Sequence, residues 1–185
     1  EISLGLVGSE MCIRDRVKTG ALIVIENDVQ LGEYERTGIE LDSILSSQLL
    51  INIFEKNTPL HDGAVIIRGN KIYAAACYLP LSNNLHLNKD LGTRHRAGIG
   101  ISESTDCISV IVSEETGYIS MARGGVLTRN ITPDILRKLL REGLAPQDKG
   151  KKAGSKVAGL FRLADRVSKK RKDKKKRDGD GNGKA

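Results

Sequence analysis

At 185 residues the chain is long enough for one well-buried domain with extensions. Its net charge of +7 would suit a nucleic-acid or membrane binder, but residues 146–185 hold 15 Lys/Arg against 5 Asp/Glu, whereas residues 1–145 hold 15 against 18. The basicity therefore belongs to the tail. Cys12, Cys77 and Cys107 are odd in number and lack metal-type spacing, which fits reduced thiols in a cytosolic protein, and no apolar run approaches the ~18 residues of a membrane span.

In chain order, 20–26 is apolar almost throughout and rich in β-branched residues, which predicts a buried strand. Residues 27–38 are polar and turn-rich, a surface connection. Asp42 is placed to cap a helix running to about Glu55, with Ile44, Leu45, Leu49, Ile53 and Phe54 near helical spacing. Gly63–Arg68 and Lys71–Leu79 read as two strands joined by the turn Gly69-Asn70, and the small run Ala74-Ala75-Ala76 suits a helix packed across the second. Residues 81–90 form a loop. Thr93 would cap a helix through about Ser102, in which Gly98 and Gly100 permit close packing on a sheet. Residues 107–113 and 118–123 are further strands, separated by a turn at 114–117 and followed by one at Gly124-Gly125. Thr132-Pro133-Asp134 opens a last helix with the apolar stripe Ile135, Leu136, Leu139 and Leu140. Strands and helices mixed in this order predict an α/β fold, a single domain with a central mixed β-sheet flanked by helices. Domain boundaries are expected at 1–16, 17–145 and 146–185. The last segment is a basic, low-complexity tail, with eight Lys/Arg and one Asp in Lys169–Arg177 and a short amphipathic patch at 157–167.

The chemistry centres on Thr58-Pro59-Leu60-His61-Asp62-Gly63-Ala64. Pro59 ends the helical pattern before it, and an imidazole, a carboxylate and a glycine then stand at the mouth of a core strand. Asp62-Gly63 by itself is equally a turn signal. About thirty residues on, Leu91-Gly92-Thr93-Arg94-His95-Arg96 supplies a complementary basic segment. These two blocks, with Ser47–Phe54, Ala76–Ser82 and Val112–Gly117 in the same order, resemble the diadenylate cyclases, which make cyclic di-AMP from ATP, and in particular their membrane-anchored type. The resemblance runs from about Gly20 to Leu144, roughly two thirds of the chain. Residues 1–16 fall outside it, and 6–16 look like translated sequencing adapter standing in place of a genuine N-terminal region. The resemblance implies that such a region would carry transmembrane helices, with this domain on the cytoplasmic side.

Joining two ATP molecules head to tail demands neutralised phosphates, an activated ribose hydroxyl and two nucleotides facing each other. Thr93, Arg94 and Arg96 at a helix start offer backbone N–H groups, a hydroxyl and guanidinium groups to phosphate, with His95 between them orienting phosphate or the helix start. Asp62, beside Gly63, is too weak a base to deprotonate ribose unaided. A divalent metal, Mn or Mg, would complete the activation, with His61, Asp62 and Glu115 as candidate ligands. The resemblance places His61 and Glu115 at metal-contacting positions, and an imidazole ligand favours Mn. Tyr78 and Leu79 could form an adenine platform and Ser113 a phosphate contact. The partners expected are ATP, the cyclic di-AMP product, a second copy of the chain in a homodimer or higher oligomer, and, through the tail, an anionic membrane surface. A solvated, solubilising tail is the bland alternative. A catalytically inactive nucleotide-sensing module is the competing reading of the domain. Specific nucleic-acid binding is not expected, since the tail lacks aromatic interleaving.

Overall fold

The computed structural model describes residues Gly20 to Leu144 apart from His86, Lys89 and Asp90. The N-terminal stretch, the basic tail with its amphipathic patch and the domain boundaries lie outside the described residues. Among the described residues, seven strands form one sheet: β1 (Ala21–Ile25), β2 (Ile39–Ile44), β3 (Ala64–Arg68), β4 (Lys71–Cys77), β5 (Ile108–Val112), β6 (Ile119–Arg123) and β7 (Val126–Ile131), in the order β2-β4-β3-β1-β5-β6-β7. Only β1 and β3 are parallel, Ile23 facing Val65; the other pairs are antiparallel. The mixed sheet expected from the sequence is thus present.

Both faces of the sheet are covered. Ile23, Ile25, Val65, Ile67 and Val110 point to one side and pack with Leu50, Ile53 and Phe54 around helix α2 (Ser47–Ile53) and with Leu136, Leu139 and Leu140 of helix α4 (Pro133–Gly143). Leu22, Val24, Ile66 and Ile111 point to the other, against Ala97, Ile99 and Ile101 of helix α3 (Thr93–Ser104) and against Leu31 and Tyr34 of the single turn α1 (Gly32–Glu35). A strand buried on both faces has no polar positions, which is why β1 reads as an unbroken apolar run. Of the two glycines of α3, Gly98 serves the sheet packing expected, since a Cβ there would stand 3.0 Å from Ile111 Cδ1, whereas Gly100 makes room for the segment at 80–82 instead.

Four expectations are corrected. Asp42 does not cap a helix. It has φ +40 and sits in a bulge of the edge strand β2, where one extra residue separates the pairs Glu40–Ala74 and Ser43–Ile72, while Ser46 caps α2 by accepting from Leu49 N at 3.2 Å. Residues 32–35 form α1 within the stretch read as a plain connection, and residues 126–131 form β7, to which the sequence assigned nothing. Thr93 is the first helical residue, with Gly92 at the N-cap position and no side-chain cap. The last helix starts as expected, Thr132 Oγ1 accepting from Ile135 N at 3.4 Å, with Pro133 in the first turn.

At one end of the sheet, just past β1, Glu26 is buried and accepts from Leu31 N at 2.9 Å and from Arg68 Nη2 at 2.9 Å. Arg68 also reaches Glu35, and its guanidinium lies 4.2 Å from the centre of the Tyr73 ring. Burial pushes the Glu26 carboxyl up, but Arg68 and the Leu31 N–H outweigh it and hold the group below its ordinary value. For Glu35, burial wins and the carboxyl sits above its ordinary value despite Arg68. Arg68→Met should cost about 3 kcal/mol in urea denaturation at neutral pH, the lower end for a broken buried pair, because the Arg68 side chain is 34% exposed. With its folded value depressed, Glu26 contributes stability above pH 4.5 that is lost as pH falls through the folded value. Glu35 works in the opposite sense, its neutral form being the favoured one in the fold. The gap between variant and wild type should therefore narrow below pH 4.5, where both carboxyls protonate and no charge is left stranded.

Candidate active site

Strand direction gathers the sequence-distant blocks at the other end of the sheet. With β1 and β3 parallel and β4 and β5 running against them, the chain enters β1 at Gly20 and β3 at Asp62-Gly63 where it leaves β4 at Tyr78 and β5 at Ser113. The start of α3 lies across this end. The result is a cleft of about 190 Å3 with a buried floor of Leu22, Ala64, Cys77 and Ala97, flanked by Asp62, Gly63, Thr93 and Arg94 and by Tyr78, Leu79 and Leu81. Its volume is below the ~300–1,000 Å3 of a pocket that encloses an organic ligand, and one side of it is open.

The backbone at the cleft is committed to this shape. Gly63 has φ +118, and β4 carries an extra residue opposite β3 where Ala76 has φ +54. A Cβ on Gly63 would stand 2.8 Å from Ala76 C and 2.9 Å from the Cys77 carbonyl oxygen. Gly63 thus lies against the Ala76 backbone, while Ala74, in the small run expected to take a helix across it, packs in the cluster that contains Tyr34 of α1. Tyr78 N donates to Thr37 Oγ1 at 2.9 Å, which ties the exit of β4 to the turn before β2. The Tyr78 ring is 67% exposed beside the cleft. Burial, reinforced by the Glu35 carboxylate, pushes the Cys77 thiol up to about 11, so Cys77 is a neutral packing group and not a nucleophile.

The helix start is electrostatically one-sided. The first turn of α3 has no acidic residue and no side-chain cap, and it adds Arg94 to the positive end of the helix dipole. Such an arrangement destabilises an isolated helix and suits an anion. Arg94 Nη1 bonds Glu114 Oε2 at 3.1 Å and Nη2 donates to the His61 carbonyl at 3.4 Å, while Nε is buried without an acceptor. A buried, unpaired cationic N–H is a local cost of holding the guanidinium here.

His61 Nδ1 lies 2.7 Å from the Thr58 carbonyl. A carbonyl only accepts, so Nδ1 carries the proton and Nε2 has the lone pair, the tautomer that binds a metal. Among the described residues no three His, Cys, Asp or Glu gather into a metal-holding group. Asp62 lines the cleft and His61 does not, so an ion they held would keep most positions for water and phosphate oxygens, as Mg2+ and Mn2+ accept.

Of the residues singled out in the sequence, Asp62, Gly63, Tyr78, Leu79, Thr93 and Arg94 share the cleft wall. His95 does not. It is 8% exposed, and burial, with Arg129 nearby, lowers its imidazole below the usual value, leaving it neutral beneath the helix start. Arg96 is half-buried outside the cleft lining, and its carbonyl accepts from Ser82 N at 3.0 Å. Ser113 Oγ accepts from Thr116 N at 3.3 Å and shapes the following turn, on which Glu115 is exposed. The residue of that turn bonded to Arg94 is Glu114, which the sequence reading passed over, as it did the apolar floor.

Known proteins match this chain in sequence and fold. A family model described as DisA bacterial checkpoint controller nucleotide-binding covers residues 11–127, starting ahead of the boundary at 17 drawn from the sequence. Over 123 residues, 66% of this chain and 45% of the relative, the chain is 57% identical to a Bacillus subtilis protein named cyclic di-AMP synthase CdaA. Over 127 residues, 69% of this chain and 46% of the relative, it is 57% identical to a Listeria monocytogenes protein named diadenylate cyclase. The fold superposes with a TM-score of 0.75 on a double mutant of DacA from Staphylococcus aureus, 49% identical, covering 78% of this chain and 95% of that one. It also matches a Bacillus cereus structure described as a hypothetical membrane spanning protein, with a TM-score of 0.69 and 42% identity over 71% of this chain and 64% of that one. The chain spans about half the length of the curated relatives it matches.

Gly63→Ala should lower stability by about 2–4 kcal/mol in denaturant titration, since left-handed strain and a backbone clash act together. An alanine at the exposed neighbouring position, Asp62→Ala, should leave the denaturation midpoint within experimental scatter of wild type.

Proposed function

Because the chain belongs to the DisA bacterial checkpoint controller nucleotide-binding family, we propose that it is the catalytic domain of a diadenylate cyclase, which condenses two ATP molecules into cyclic di-AMP with release of two pyrophosphates. The observation that carries this reading is the meeting of Asp62 and Arg94 on one cleft at an uncapped helix start. A carboxylate stands there beside a phosphate-type site in an open cleft.

In this reading the Thr93 and Arg94 N–H groups, the Thr93 hydroxyl and the Arg94 guanidinium bind phosphate oxygens. The exposed Tyr78 ring stacks on adenine, a contact worth about 1–3 kcal/mol. Asp62 accepts the proton of the ribose 3′-hydroxyl as its oxygen bonds to the α-phosphorus of the opposite ATP and the bond to pyrophosphate breaks. His61 and Asp62, with Glu115 as a further candidate, would hold a divalent ion, which when bound would supply the charge stabilisation that a carboxylate lacks. Arg96, Ser113 and the buried, neutral His95 support the helix start and the turn around the cleft. One chain offers one such set of groups, whereas the product has two equivalent linkages. The open side of the cleft, edged by exposed Tyr78 and Leu81, therefore meets that of a second copy across a two-fold axis. We place the domain on the cytoplasmic side of a membrane-anchored parent, a reading supported by the membrane-spanning description of the Bacillus cereus relative.

Asp62→Asn should retain ATP binding in calorimetry and lose cyclic di-AMP formation by about 10²–10⁴-fold with Mn2+ present. Near-normal turnover would remove Asp62 from the chemistry, and a wild-type chain that binds ATP without making product would favour the nucleotide sensor.

Dilution tests the paired arrangement separately. Product formed per chain per second should fall as the protein is diluted through the dissociation range of the dimer, followed in parallel by mass photometry. A constant rate per chain among monomers would refute the two-copy site.

A further inference from the structure

An arginine on the first turn of a helix has a long stem and about 2 kcal/mol of rotamer entropy to lose, and the helix dipole repels its charge. Something must hold the Arg94 guanidinium at the cleft wall. Two backbone segments and one carboxylate do so. Nη2 donates to the His61 carbonyl at 3.4 Å, and a Cβ on Gly20 would stand 2.5 Å from Nη1, so the guanidinium lies against the backbone that enters β1. Glu114 completes the hold, Oε2 lying 3.1 Å from Arg94 Nη1, while its other oxygen, Oε1, lies 3.5 Å from Lys56 Nζ. The same absent Cβ of Gly20 would be 3.1 Å from Glu114 Cβ, so one glycine makes room for both partners. Arg94 lines the cleft and Glu114 does not. Burial pushes the Glu114 carboxyl up, but Arg94 and Lys56 together hold it below its ordinary value, so the ion pair persists at neutral pH.

We propose that Glu114 is a positioning residue that fixes the Arg94 guanidinium for the nucleotide phosphates, with Lys56 bracing Glu114 from the outer side. The inference rests on the nucleotide reading of the cleft. Glu114 touches no substrate; it removes the rotamer search that Arg94 would otherwise make on each binding event, which is preorganisation in its simplest form. The adjacent Glu115 is exposed, and the carboxylate of this turn paired with Arg94 is that of Glu114.

The test is a double-mutant cycle on the full chain, read as the Kd of a non-hydrolysable ATP analogue and as kcat/KM for cyclic di-AMP formation. Glu114→Ala should weaken both by about tenfold, an ordinary coupling for directly bonded residues, with the rise concentrated in KM. Glu114→Gln, which keeps one acceptor oxygen, should recover part of the loss. In an Arg94→Ala background the same Glu114→Ala change should have no further effect, because the residue through which it acts is gone. A Glu114→Ala chain that matches wild type, binds more tightly, or loses as much affinity without Arg94 as with it overturns the inference while leaving the nucleotide site intact. A wild-type chain that neither binds the analogue nor forms product overturns the nucleotide reading as well.

Discussion

The parallel pairing of β1 with β3 is the constraint on which the rest of the molecule depends. It fixes Gly20 and Asp62 at one end of the sheet, and the antiparallel neighbours β4 and β5 must then deliver Tyr78 and Glu114 to the same end. Four segments separated by long stretches of chain therefore meet without any one having a shape of its own. The opposite end is closed by polar clamps. Arg68 binds Glu26 there, and Asp106 accepts from Asp28 N at 3.0 Å and Val29 N at 3.1 Å. One end of the sheet is spent on holding loops and the other is left open for a ligand.

The open end carries its own energetic cost. A basic, uncapped first turn on α3 gives up the roughly 0.3–1 kcal/mol that an acidic residue would contribute at a helix N-terminus, together with the ~1 kcal/mol of a side-chain cap. Buried Arg94 Nε adds an unpaired donor. Stability elsewhere is ample, since the sheet is covered on both faces and α4 has its cap, proline and early acid in the favoured order. Local concessions concentrated at one cleft, in a fold otherwise consistent with its own propensities, are what a binding site leaves behind.

Legibility in the sequence followed burial. β1, β3 and β5 are legible because strands covered on both faces are nearly continuous apolar runs, and β6, with Ser120 and Arg123, is legible from the turns that flank it. The edge strands are not. β2 contains Glu40, Asp42 and Ser43 and is interrupted by a bulge, so Ile44, Leu45 and Leu49 fell into apparent helical register across its boundary. β7 presents Thr128, Arg129 and Asn130 and reads as loop. At the cleft, the blocks around Asp62 and Arg94 were recognisable by residue type, but the floor formed by Leu22, Ala64 and Ala97 is indistinguishable from core until the chain is folded. Glu114 and Glu115 show the same limit more sharply. Two adjacent carboxylates are equivalent on paper, and only the turn between β5 and β6 decides which of them meets Arg94.

The two bulged edges have a bearing on crowding. Each outer strand carries one residue with a left-handed backbone, Asp42 at φ +40 in β2 and Asn130 at φ +56 in β7, and each is out of register with its inner neighbour at that point. An edge so broken offers no continuous row of donors and acceptors to a foreign strand, and Lys71, paired with Asp42 at 2.8 Å, adds charge along the first of them. Where many copies are confined to a small volume, as on a surface, ribbon-like polymerisation through the sheet is thereby suppressed, and encounters between copies are left to the faces and ends of the molecule.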